Sequence, residues 1–171
     1  IARTAYGSSV QALLENSEFF NTGAGPVIVD AESASVLETV AMRNGETTED
    51  LGQGAVTSAF TTSTGVTEAR ASGLSWVQSD QLSVSATDRT WRETLANSSA
   101  EGDGRNLLGA LARDAYERDT IALVEQVSLD GLADGLTISA LSESQSNVVA
   151  IGRAAGGDAL GLALLGAKVR D

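Results

Sequence analysis

Leu82-Ser83-Val84-Ser85-Ala86 and Leu136-Thr137-Ile138-Ser139-Ala140 alternate apolar and polar side chains at every step. A period of two places the apolar groups on one face of an extended chain, so both stretches predict half-buried strands. Working outward, Val27-Ile28-Val29 reads as a short buried strand closed by Asp30. Residues 55–71 are rich in Thr, Ser and Val, the composition of a strand with one wet face. Residues 148–154 predict a further strand. So do Leu160, Leu162 and Leu164, which alternate with Gly161 and Ala163.

Other stretches predict helices. In residues 8–20, Ser8 or Ser9 can cap a helix that sets Val10, Leu13, Leu14 and Ser17 on one face, with Phe19 and Phe20 at its end. Asp88 can cap a short helix through Arg89, Trp91 and Leu95. The clearest helical stripe is in residues 106–116, where Leu107, Leu108, Leu111 and Ala115 recur at helical spacing. Residues 34–43 and 121–129 suit either state. Residues 21–26, which include the only proline, and residues 46–54 and 97–104 read as loops; Asp130-Gly131 and Asp134-Gly135 read as turns.

No fixed-period repeat and no dividing linker is evident. The expectation is one domain over residues 1–171, with residues 1–26 as an N-terminal helical arm. Its fold class is mainly β with two or three helices, an antiparallel β-sandwich or a jelly-roll or tube-subunit-like fold.

Composition narrows the chemistry. The 171 residues contain no histidine and no cysteine, which removes serine and cysteine triads, thiolate zinc sites and haem ligation. Aromatic residues make up only 4%. Ala, Val and Leu supply much of the apolar count, so the core should be thin. The formal charge is −12, from 23 acidic and 11 basic residues, and Lys168 is the single lysine. This balance resembles that of proteins from salt-loving archaea, whose acidic self-repulsion is screened by molar salt, and equally that of a moderately acidic mesophilic protein from a GC-rich genome. It opposes a phosphate-binding groove.

Candidate sites are few. Paired carboxylates could support glycoside hydrolysis, but sugar platforms are limited to Trp76 and Trp91. Asp130 and Asp134 faintly suggest a calcium loop, which Leu132 interrupts. Gly152, Gly156 and Gly157 lack the spacing of a phosphate loop, and close backbone approach accounts for them equally well. Asn97-Ser98-Ser99 is a glycosylation triplet on an expected loop. Arg89, Arg92, Arg113 and Arg118, with their acidic neighbours, could form inter-subunit ion pairs or simple helix-surface pairs.

The expected function is therefore that of a non-enzymatic structural subunit. The assembly would be a viral capsid, a tail tube or an extracellular filament, with a halophilic archaeon or its virus as one source. It would be located in the virion or outside the cell, with the cytoplasm left open. Its partners would be copies of itself and other assembly proteins, with no sequence-specific nucleic acid, no membrane span, no metal and no cofactor. The alternatives are a small-ligand-binding domain or carboxylate hydrolase, and a monomeric surface or adhesion domain.

Overall fold

The computed structural model describes residues 1–20, 25–46, 53–74, 76–102, 105–130, 135–156 and 159–170. Ten strands follow one another with no helix among the described residues. They are β1 (Ala2–Glu15), β2 (Glu18–Phe20), β3 (Pro26–Glu46), β4 (Gln53–Ser72), β5 (Trp76–Gln78), β6 (Gln81–Glu101), β7 (Asn106–Glu125), β8 (Leu129–Asp130), β9 (Gly135–Ala155) and β10 (Ala159–Arg170). Three parallel sheets result, ordered β1-β4-β7-β10, β2-β5-β8 and β3-β6-β9.

The chain therefore winds as a β-solenoid. Each coil lays down a long strand, a short corner strand and a second long strand, then returns to pair one coil further on. Side chains bonded across neighbouring coils lie 54 to 57 residues apart. Strands of 20 or 21 residues span about 65 Å at ~3.3 Å per residue, so the two long sheets face each other as a broad slab.

This overturns the expected fold class. The sheets are parallel because each strand's neighbour is its equivalent in the next coil. The predicted helices at 8–20, 88–95 and 106–116 belong to β1 with β2, to β6 and to β7, and the N-terminal helical arm is instead the opening strands of the first coil. In β1, Val10, Ala12 and Leu14 point inward while Leu13, counted toward the helical face, is 50% exposed. In β7, Leu108 is buried and adjacent Leu107 is exposed. Helix-favouring Ala, Leu and Arg yield here to strand pairing and burial, which outweigh propensities of well under 1 kcal/mol per residue.

The coils also carry a repeat, contrary to expectation. Val27-Ile28-Val29-Asp30-Ala31, Leu82-Ser83-Val84-Ser85-Ala86 and Leu136-Thr137-Ile138-Ser139-Ala140 occupy the same rows of three stacked strands. Ala2-Arg3-Thr4-Ala5-Tyr6 in β1 recurs as Ala112-Arg113-Asp114-Ala115-Tyr116 in β7, two coils on. The corner repeats too: the residue after the first long strand is left-handed in each coil, at Asn16 (φ 49), Gly73 (φ 62) and Gln126 (φ 53). Asparagine and glycine enter that conformation at low cost. The Asn16 N–H donates to the Ser72 carbonyl, and the Gly73 N–H to that of Glu125, tying successive corners together.

The interior has three zones along the strands. Beside the corner, Val27, Val29, Leu74, Leu82 and Val84 form the largest apolar cluster, with Val10, Ala12 and Leu14 packed on it. At the far end, Ala59, Ala96, Ala110 and Ala112 form a second cluster, followed by Ala55, Ala100 and Leu108. Between these ends the interior is polar.

Candidate functional site

The polar middle is built by strand alternation. Inward positions of β6 carry Asp88, Thr90, Arg92 and Thr94; those of β7 carry Asp114, Tyr116 and Arg118. The two strands face each other across the slab and run in opposite directions. Asp88 thus meets Arg118, and Arg92 meets Asp114. Arg92 Nε donates to Asp114 Oδ2 at 2.8 Å, and Arg92 Nη1 to Ser144 Oγ at 3.1 Å. Arg118 Nε lies 2.8 Å from Asp88 Oδ2 as a charge contact, although its hydrogen is not directed at that oxygen. Arg118 Nη2 donates to Ser33 Oγ at 3.0 Å.

Tyr116 sits at the centre. Its hydroxyl donates to Asp88 Oδ2 at 2.9 Å and lies 3.2 Å from Ser142 Oγ, while the Arg92 guanidinium stacks 4.4 Å from the ring centroid. Burial raises the Tyr116 pKa above the ordinary phenol value, and the Asp88 carboxylate adds to the rise. The phenol is therefore a neutral donor near pH 7. Beside it, the Thr61 hydroxyl bonds Thr39 and Thr94 at 2.7 and 2.6 Å. Two arginines balance two aspartates, all at most 2% exposed. Each of these charges lies against an opposite charge of the facing sheet, so the cluster ties the two sheets together.

The outer face of the β3-β6-β9 sheet is different. Trp91 stands 53% exposed on the central strand, between Val36 and Gln145 in one row. Beside it, Arg89 bridges two carboxylates, with Nη1 2.7 Å from Glu32 Oε1 and Nε 3.0 Å from Glu143 Oε2. Val36, Trp91, Arg89, Glu143 and Gln145 line a shallow open depression. One guanidinium is thus shared between two carboxylates on this outer face.

The predicted site residues are thus distributed. Arg92 and Arg118 belong to the buried network, Arg89 to the outer ladder, and Arg113 faces outward on β7. The ion pairs of Arg89, Arg92 and Arg118 lie within one chain. Asn97 lies on the central strand β6, half-buried between Met42 and Ile151, rather than on the expected loop. Asp134, Gly157 and the Lys168 and Trp76 side chains lie outside the described residues, as does most of the 130–135 turn. A Cβ at Gly152 would come within 2.5 Å of the Leu162 carbonyl oxygen, so close approach of β9 and β10 requires glycine there. Among the described residues, no group of three acidic side chains is placed to hold a metal ion. No helix among them is long and apolar enough to cross a membrane.

Sequence reasoning missed Asp88, Asp114 and Tyr116 as one cluster. The available signal was the run of inward positions Ala86, Asp88, Thr90, Arg92, Thr94 and Ala96, which keeps a strict period of two. Comparison with protein-family models, curated proteins and solved structures finds no match to this chain.

Proposed function

We propose that this chain is a non-enzymatic structural element of a larger assembly, a stiff solenoid segment that works through its surfaces. The observation that carries this reading is the fate of its charges: the buried Asp and Arg residues are consumed in joining the two sheets. The two long sheets stack their strands in the orders β1-β4-β7-β10 and β3-β6-β9, so the segment is stiffened along its whole height. A virion or an extracellular filament would suit such a segment. The net charge of −12 fits an environment where high salt screens repulsion between neighbours.

Sedimentation velocity of the intact chain over a wide concentration range, at low and molar salt, tests the proposal. Concentration-dependent growth of large species, promoted by salt, is the expected result. A strict monomer under every condition would remove it.

A second reading has one specific observation behind it. The depression around Trp91, rimmed by Arg89, Glu143 and Gln145, offers an apolar platform with polar edges for a small polar ligand. A change in Trp91 fluorescence on titration with simple sugars, lost in Trp91→Ala, would favour it.

A further inference from the structure

We infer that the outer face of the four-stranded sheet binds a ring-bearing carboxylate, held over Phe60 between Arg3 and Arg113. The inference stands apart from the assembly reading and from the Trp91 depression, which belongs to the other long sheet.

The three side chains come from three successive coils. β4 pairs with β1 and β7 in a register that sets Arg3, Phe60 and Arg113 in one row. The adjacent row, with Ala59 and Ala112, is buried in the slab. Alternation therefore turns the row of Phe60 outward. Phe60 and Arg113 lie on the two middle strands, each paired on both sides, so the site is on a broad face and not at an edge. Phe60 is half-buried and both arginines are exposed.

Their charges are unlike the others of this chain. Acidic residues outnumber basic ones by 23 to 11, and Arg70, Arg89, Arg92 and Arg118 each lie against a carboxylate. Arg3 and Arg113 do not. Among the described residues neither makes an ion pair, a side-chain hydrogen bond or a ring stack. Asp114, next to Arg113 in the chain, points inward to Arg92. The flanking outward rows hold Ala5, Thr62 and Ala115 on one side and Ser58 with Leu111 on the other, none of them acidic. Glu117 is four residues further along β7, about 13 Å away at ~3.3 Å per residue. Two positive charges thus stand together on a molecule of net charge −12, and a local field of that sign draws anions.

Arg3, Phe60, Thr62, Arg113 and Ala115 line a depression of about 480 Å³, the size of a small-ligand site. A guanidinium fork fits the two oxygens of a carboxylate. The Phe60 ring offers an apolar surface to a second ring, and the Thr62 hydroxyl can donate one more bond. Two strand spacings separate the backbones of Arg3 and Arg113 by about 9.6 Å. A ring with a carboxylate at each end can therefore engage both arginines while it covers Phe60. Inorganic phosphate would satisfy the arginines but leave Phe60 wet, so the ring defines the class. Aromatic acids and acidic sugars share this chemistry.

Isothermal titration calorimetry of the intact chain at low salt tests the site, with terephthalate and digalacturonate as the ring acids and inorganic phosphate as the ringless anion. At least one ring acid should bind about tenfold or more tightly than phosphate, and its affinity should fall as salt is raised. The tighter of the two acids identifies the source. Arg113→Gln should weaken binding about tenfold or more, and Phe60→Ala should bring the ring acid down to the level of phosphate. Arg70→Gln, on the same face but paired with Glu68, should leave binding unchanged. Neither ring acid binding more tightly than phosphate would overturn the inference. So would an Arg113→Gln chain that melts and binds like the wild type. Neither result bears on whether the chain assembles.

Discussion

The corner cluster and the polar middle of the slab hold the same two sheets together by different physics. Around Val27, Leu82 and Val84 the sheets meet through apolar area, a non-directional force that tolerates small shifts. Around Tyr116 they meet through two crossed ion pairs with directed bonds, which do not. In the first coil the rows of Asp88, Asp114 and Arg118 hold Ser33, Thr4 and Ser8 instead, so the charges join the second coil to the third. An alanine-rich inner face is nearly indifferent to a slip of two residues, which returns every side chain to the same face. The slip would, however, separate Arg92 from Asp114 and Arg118 from Asp88. The charges select the register, which the apolar ends leave open.

The sharpest way to break this comparison is to orphan one charge. Asp114→Ala leaves Arg92 buried without its carboxylate and should cost about 3–5 kcal/mol, read from denaturant unfolding. Replacing both partners, Arg92→Met with Asp114→Leu, should be far milder in stability. It should nevertheless broaden the amide NMR spectrum if register is what the pair specifies.

Next in size, Leu82→Ala in the corner cluster should cost about 3 kcal/mol through lost burial and a residual cavity. It should leave the spectrum of the middle zone unchanged. An equal disturbance of Tyr116 would mean that the zones act as one unit.

Tyr116→Phe removes a buried donor to Asp88 and should cost about 1–3 kcal/mol. The same residue gives a pH signature. Its pKa is raised in the folded state, so its contribution is complete below the unfolded phenol value of about 10 and is lost as pH climbs through the folded value. Wild-type stability should therefore fall above about pH 10, and the Phe variant should lose part of that slope, as thermal melts across alkaline pH would reveal.

The smallest effect belongs to the outer ladder. Arg89 is half exposed between Glu32 and Glu143, so Arg89→Ala should change stability by no more than about 1 kcal/mol, and less in high salt. A cost comparable to that of Asp114→Ala would show that the distinction between outer and inner pairs is wrong.

The strictly alternating stretches 82–86 and 136–140 and the Thr-, Ser- and Val-rich stretch 55–71 are legible as strands in the amino-acid sequence, and all lie in long strands. The coil is not, although its marks are present. Three copies of an apolar-x-apolar-x-Ala pattern and the echo of Ala2-Arg3-x-Ala5-Tyr6 in Ala112-Arg113-x-Ala115-Tyr116 are too sparse to stand out by eye. Residues 106–116 mislead because Leu and Ala at adjacent and near-helical spacing satisfy both periods locally. Arg92 and Arg118 are visible as charges but not as partners, because residues on facing strands of different coils have no fixed sequence offset.

By itself, the amino-acid order determined the absence of imidazole and thiol chemistry, the acidic balance, and the face on which an alternating stretch turns its apolar groups. Those are properties of counting and of local geometry. Only the tertiary structure decided that strands pair in parallel one coil apart, that Asp88 meets Arg118 and Asp114 meets Arg92, and that Arg3, Phe60 and Arg113 share one row. The pairing one coil apart closes loops of more than fifty residues, and the Arg92–Asp114 pair spans 22. The reward for such closure is packing and ion pairing between segments whose proximity no local pattern encodes.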